Sequence, residues 1–136
     1  MKKIYLGGPI MDLSFEQAST WREEAKKLFY SHPNACFKFL DPMRRNFKDS
    51  ELESRNEIVQ LDKADIIEAD ILLVNATKPS WGTAMEIMFA YQHHKVILAF
   101  VGEDFSKKTL SPWLAYHTTR TFLSMEFAIE YIKKYF

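Results

Sequence analysis

Ile71-Leu72-Leu73-Val74 is apolar at every position, as a parallel strand buried on both faces is and a strand with one wet side is not. The stretch before it, from near Glu51 to about Glu68, and the stretch after it, from Gly82 to His94, both carry helical spacing. Moving outward, the same alternation continues in both directions. Towards the amino end, Cys36 to Leu40 reads as a strand broken by Asp41-Pro42. Phe15 to Tyr30 reads as a helix through Ala18, Trp21, Ala25 and Leu28 or Phe29, closed by Pro33, and Ile4-Tyr5-Leu6 reads as a short first strand ended by Gly7-Gly8-Pro9. Towards the carboxyl end come a strand at Val96 to Val101, a short helix near Pro112, a strand at Thr121-Phe122-Leu123 and a helix from Met125 to Phe136. Five β/α units predict an α/β fold: one domain over residues 1–136, with a five-stranded parallel sheet flanked by helices. Ligands of such sheets bind at the carboxyl ends of the strands, so loops 7–10, 41–50, 75–82 and 102–112 are expected to surround the site.

Composition narrows the function. The chain has 136 residues, enough for one substantial core, and its 18 Lys plus Arg balance 18 Asp plus Glu. No global field is present to hold a nucleic acid polymer or a membrane surface, so a charged ligand must be met locally. The longest clean apolar stretch, Val96 to Val101, falls far short of the roughly 20 residues of a membrane helix. The amino-terminal Met-Lys-Lys-Ile-Tyr-Leu reaches Gly7-Gly8-Pro9 before a signal-like apolar segment develops. With Cys36 as the single cysteine, no internal disulfide and no zinc spacing are available, and a reducing cytoplasm is expected. Neither a dinucleotide fingerprint, a phosphate-binding G-x-x-x-x-G-K-[ST] loop nor a G-x-S-x-G elbow occurs, so no cofactor or metal is expected. Eleven Phe, six Tyr and three Trp leave aromatic side chains for a pocket or a subunit contact.

Two carboxylates stand out. Glu86 is the one charge in the apolar run Ala84-Met85-Glu86-Ile87-Met88-Phe89-Ala90-Tyr91. No opposite charge lies one turn away, while the helix amino terminus lies about one turn behind and favours the ionised form, which suits a nucleophile. A solvent-facing Glu86 on the outer side of the helix stands beside that reading. Asp62 interrupts the apolar stripe formed with Ile58, Val59 and Ile66, and reads either as functional or as an edge carboxylate paired with Lys63. Two carboxylates at one pocket are what cleavage of a glycosidic bond requires: one meets the anomeric carbon and the other manages the leaving group's proton. Tyr5, at the end of the first strand, is placed to donate its phenol to such a carboxylate or simply to pack. Arg44 and Arg45 are candidates for an anionic substrate group, and His93-His94 complements a helix end.

In this order, Ile4-Tyr5-Leu6-Gly7-Gly8-Pro9, Asp62 eight residues before Asp70, and Pro79-Ser80-Trp81-Gly82-Thr83-Ala84-Met85-Glu86-Ile87 resemble the nucleoside 2-deoxyribosyltransferase family, which includes a branch of deoxynucleoside 5′-monophosphate N-glycosidases. The resemblance implies a flavodoxin-like (Rossmann-like) sheet. It implies Glu86 as the nucleophile at C1′, Tyr5 as its orienting partner and Asp62 as the group handling the departing base. Gly8, Pro9, Ser80, Gly82 and Ser111 are then expected at the substrate, with Arg44 as a candidate for an anionic group. A glycosyl–enzyme ester would pass to a second nucleobase in the transferases or to water in the hydrolases. The expected partners are a nucleoside or nucleotide and an acceptor base. A homodimer or higher homo-oligomer with shared sites is also expected, since Ser111 falls where the family reaches into a neighbouring subunit.

Ser80 and Ser111 depart from the transferase pattern, which places an aspartate and an asparagine there. The serines are similar to the monophosphate branch, because a hydroxyl donates to a phosphate that a carboxylate would repel. Transfer and hydrolysis both remain open. A nucleotide-binding sensor with little turnover and a scaffold working through a partner surface are the readings from other classes.

Overall fold

Strand β3 (Ile71–Asn75) lies between β1 (Lys2–Gly7) and β4 (Val96–Phe100), parallel to both, in the computed structural model, which describes residues 1–31, 36–47, 49–102 and 110–136. β2 (Phe37–Leu40) flanks β1 and β5 (Arg120–Phe122) flanks β4, giving a five-stranded all-parallel sheet in the order β2-β1-β3-β4-β5. The chain moves outward from β1 to β2 and then returns across β1 to β3. The crevice at that reversal lies between the carboxyl ends of β1 and β3, where Gly7 stands opposite Val74.

Two-residue periodicity divides the core. Ile4, Leu6, Ile71, Leu73 and Leu98 face one side, under α1 (Phe15–Tyr30) and α5 (Met125–Tyr135). Tyr5, Leu72, Val74, Ile97 and Ala99 face the other, under α2 (Arg55–Glu68) and α3 (Trp81–Gln92). β3 is buried on both faces from Ile71 to Val74, as its unbroken apolar run predicts. The alternation also sends Tyr5 alone of its neighbours to the α2/α3 side. A short helix, α4 (Pro112–His117), precedes β5.

Element ends differ modestly from expectation. Residues 51–54 form turns and α2 starts at Arg55; β2 starts at Phe37; β5 lies one residue earlier than expected, with Arg120 opposite Leu98. Pro33, expected to close α1, lies outside the described residues. Helix starts follow cap chemistry: Ser14 and Gln17 form a reciprocal capping box on α1, and Ser80, Ser111 and Ser124 cap α3, α4 and α5. Among the described residues no helix is long and apolar enough to cross a membrane.

One buried group was not legible. Arg22 belongs to the inward stripe of α1 with Ala18, Ala25 and Phe29, and its side chain is fully buried. Its Nε donates to the Leu6 carbonyl at 3.3 Å, Nη2 to the Gly8 carbonyl at 3.1 Å and Nη1 to the Ala18 carbonyl. Asp41 Oδ1 lies 3.6 Å from Nε and supplies the counter-charge. Asp41 is itself held by Lys26 Nζ at 2.7 Å and by the Met43 amide at 2.8 Å. One buried guanidinium therefore ties the loop after β1 to the loop after β2, the two loops that flank the crevice.

Candidate active site

A cavity of about 280 Å³ opens at that crevice. Gly8, Ile10 and Met11 come from the loop after β1. Met43, Arg45 and Phe47 come from the loop after β2, Arg55, Ile58, Val59 and Asp62 from one face of α2, and Ser80, Gly82, Thr83 and Glu86 from the start of α3. The α2 residues are spaced 55, 58, 59 and 62, so Asp62 interrupts an apolar stripe because that stripe lines a cavity and not the core. Of the loops expected around the site, the first three contribute, and residues 103–109 of the fourth lie outside the described residues. Gly102, Leu110 and Ser111 instead line a separate hollow, with Ser80 between the two.

Glu86 is not on the outer face. The Tyr5 hydroxyl donates to its Oε1 at 3.2 Å, and Oε2 is buried with no hydrogen-bond partner among the described residues. A Cβ on Gly7 would stand 3.3 Å from that Oε2, so the glycine makes room for the carboxyl. Burial, followed by the negative charge of Asp62, pushes the Glu86 carboxyl up to about 8, against the opposing effects of the Tyr5 hydrogen bond and Arg22. The ionised Glu86 expected from the nearby helix end is thereby corrected: burial outweighs the helix end and keeps the group protonated at neutral pH. Tyr5 is fully buried, and burial together with Glu86 and Asp62 raises its phenol well above the ordinary tyrosine value, so it stays a neutral donor.

This displacement fixes the sign of a stability effect. Below about pH 4.5 folded and unfolded chains both hold the Glu86 proton. Between there and about pH 8 only the folded chain holds it, so Glu86 lowers stability as pH rises, with a plateau above about 8. At about 1.4 kcal/mol per pKa unit the upper bound is about 5 kcal/mol. Glu86→Gln is expected to match the parent's melting temperature near pH 4 and to exceed it increasingly up to pH 8. A gap that stays constant from pH 4 to 9 would contradict the assignment.

Asp62 pairs with Arg45, at 3.0 Å from Nη2, and not with Lys63, whose Nζ lies over the Phe89 ring. Burial raises Asp62 above the usual aspartate range, opposed by the hydrogen bond and charge of Arg45. Arg44 does not line the cavity: its Nη2 donates to Asp65 Oδ1 at 2.7 Å and its Nη1 to the Asp41 carbonyl at 2.8 Å. The short 3-10 turn Pro42–Arg44 ends there and Arg45 is extended, so the two arginines diverge and Arg45 is the one that reaches the cavity.

Ser80 Oγ accepts from the Thr83 amide at 3.3 Å and the Thr83 hydroxyl at 3.0 Å, leaving its own hydrogen for a ligand. Gly8 is required by packing, since a Cβ there would meet Trp21 at 2.9 Å and Asn75 at 3.1 Å; at Gly82 it would meet nothing within 4 Å. Pro9 stands beside the cavity without lining it. Ser111 is exposed, caps α4 and lines the separate hollow, not the cavity that holds Glu86.

Three solved structures share the fold. A conserved protein from Enterococcus faecalis superposes with a TM-score of 0.76 at 19% identity, over 100% of this chain and 99% of that one. A 2-deoxyribosyltransferase from Bacillus psychrosaccharolyticus gives 0.71 at 18%, over 95% and 91%. The CMP N-glycosidase BcmB from Clostridium botulinum gives 0.63 at 18%, over 99% and 100%. No curated protein matches significantly. The family model described as nucleoside 2-deoxyribosyltransferase matches residues 4–112, a span that holds Tyr5, Asp62 and Glu86 together with four of the five strands, and the chain belongs to that family.

Proposed function

We propose that the protein cleaves the N-glycosidic bond of 2′-deoxynucleosides or their 5′-monophosphates through a deoxyribosyl ester on Glu86 and passes the sugar to another nucleobase. The observation that carries this reading is the Tyr5-braced Glu86 carboxyl sharing one cavity with a second carboxylate, Asp62. A Glu86 oxygen attacks C1′ as the C1′–N bond breaks, and the bonding pair leaves on the base nitrogen while Asp62 supplies the proton. The acceptor base then attacks C1′, Asp62 takes up its proton, and Glu86 is released as carboxylate. Met43, Phe47, Ile58 and Val59 offer apolar walls to a flat heterocycle.

With its carboxyl pushed up to about 8, Glu86 holds a proton at neutral pH, and one proton is what the departing base needs. Positive charge developing at C1′ favours ionised Glu86, so the bound substrate draws the proton to Asp62. The pair titrates as a unit. kcat/KM is expected to fall above about pH 8, where the last proton leaves, and to fall again in acid, where both groups are protonated. Tyr5→Phe removes a bond that favours ionised Glu86, and so moves the alkaline limb upward. At about 1.5–3 kcal/mol for a hydrogen bond to a charged group, it costs about 10–100-fold in kcat. A Phe variant with unchanged limb and unchanged kcat would remove Tyr5 from the mechanism.

A specific observation favours a second acceptor and a phosphorylated substrate. The Ser80 hydroxyl hydrogen and the amide end of α3 meet at one rim of the cavity, a setting for an anion. A 5′-monophosphate held there, with water as acceptor, gives free base and deoxyribose 5-phosphate. Product analysis with each deoxynucleoside and 5′-monophosphate, with and without a second base, tests both readings. A new nucleoside or nucleotide that appears only with added base means transfer; free base without acceptor means hydrolysis. Failure to convert any of them defeats the proposal.

A further inference from the structure

Asp62 does not stand alone in the cavity wall. It shares the inner face of α2 with Asp65, one turn along, and Arg45 spans the two: Nη2 is 3.0 Å from Asp62 Oδ1, and Nη1 is 2.9 Å from Asp65 Oδ2. Asp65 is nearly fully buried and has a second cation in Arg44, at 2.7 Å from its other oxygen. Arg45 is thus more than an isolated counter-ion. It is ion-paired to an acid that Arg44 already holds, and from there its Nη2 donates one hydrogen bond to Asp62. The Asp62 and Arg45 side chains are only 19% and 17% exposed, so the contact is weakly screened by solvent.

Resting on the proposed glycosidic chemistry, we propose that Arg45 is the positioning residue for Asp62, fixing where its carboxyl stands and the charge it presents to the departing base. The other groups acting on Asp62 are Asp65 on its own helix, Arg44 from the β2 loop, Glu86 from α3, Tyr5 from β1 and Arg22 from α1. Of these, Arg45 is the one that both hydrogen-bonds Asp62 and lines the cavity. A substrate group that displaces the Arg45 Nη2 hydrogen bond leaves Asp62 without its bonded cation, so its proton affinity rises when a base is in place to accept that proton. Arg45 in this way couples occupancy of the base end of the cavity to the acid needed there.

The test uses Arg45→Met and Arg45→Lys in the full chain. Losing a cation within hydrogen-bond distance raises a carboxyl's proton affinity by about one unit or more. Carbon-detected NMR titration of Asp62, made in the Glu86→Gln background so that one group of the pair titrates, is expected to show that rise in Arg45→Met and its reversal in Arg45→Lys. In the active enzyme the acid limb of kcat/KM is expected to move up by the same amount in Arg45→Met, with kcat lowered at least 10-fold for ordinary bases. It should fall less for an N7-methylated purine nucleoside, whose base leaves without a proton. Asp65 keeps Arg44 in both variants, which preserves the fold. An Asp62 titration unchanged by Arg45→Met overturns the proposal, as does a rise in KM with both pH limbs in place. The NMR arm needs no turnover, so it tests Arg45 even if the enzyme assay defeats the glycosidic reading.

Discussion

Glu86→Ala is expected to lower kcat by about 10⁴-fold or more for every substrate the protein converts, the scale of loss on removing a covalent nucleophile. The chain should remain folded, with a melting temperature at or above the parent's at pH 8, because the substitution removes an unpartnered buried oxygen as well as the reacting group. The cavity it leaves is the size of a small anion and is bounded by Gly7 and the Tyr5 hydroxyl. Azide added to this variant should enter that space and attack C1′ directly. A single displacement inverts the anomeric centre, so the product would be a deoxyribosyl azide of opposite configuration to the substrate. Turnover within 10-fold of the parent would mean that Glu86 is not the nucleophile. A ligand-induced rise in melting temperature that persists, in a parent protein without turnover, would move the assignment to the sensor reading.

Arg22→Met is the largest expected loss of stability. It leaves the Leu6 and Gly8 carbonyls without their buried donor, and Asp41 with Lys26 as its remaining ion-pair partner. Breaking a buried pair in this way costs about 3–5 kcal/mol. For a domain of this size that is a fall of about 10 °C or more in melting temperature. Arg22→Lys keeps the charge but cannot serve three carbonyls, and should recover only part of the loss. Thermal and urea unfolding at neutral pH check both, and a fall of less than 2 °C in Arg22→Met would show that the network is not holding the two loops.

How far these residues were legible follows from the range of the interaction each depends on. β3 was readable because burial on both faces leaves a local imprint, four apolar residues in a row. Glu86 and Asp62 were readable because each breaks such an imprint. Arg22 was not, because an arginine counts as surface in any periodicity. The one signal was its place on the 18, 25 and 29 stripe, and its partners are carbonyls that carry no sequence mark. The choice between Arg44 and Arg45 turned on a 3-10 turn ending between them. The charge on Glu86 was misread because the helix end is a neighbour in sequence, whereas the burial that outweighs it is assembled from elements distant in sequence, among them β1 with Tyr5 and Gly7. Ser80 was read for its hydroxyl alone, and the structure shows the same oxygen capping α3.

The placement of β1 at the sheet's interior bears on how fast the molecule forms. Ile4 meets its partner Ile71 at a separation of 67 positions in the chain, and Leu6 meets Leu73 at the same separation, so the central ladder closes only after a long loop has been ordered. Among the described residues no local hairpin is available as a nucleus, because all four strand pairings there are parallel. Such a topology has high contact order and belongs with slowly folding α/β domains. Until β3 docks, Ile4 to Leu6 carries an unpaired edge and apolar faces, the arrangement most exposed to pairing with a second chain. The crevice that gathers Tyr5, Glu86 and Asp62 therefore exists only once that slow central pairing is complete, and catalytic competence should appear with the last phase of refolding.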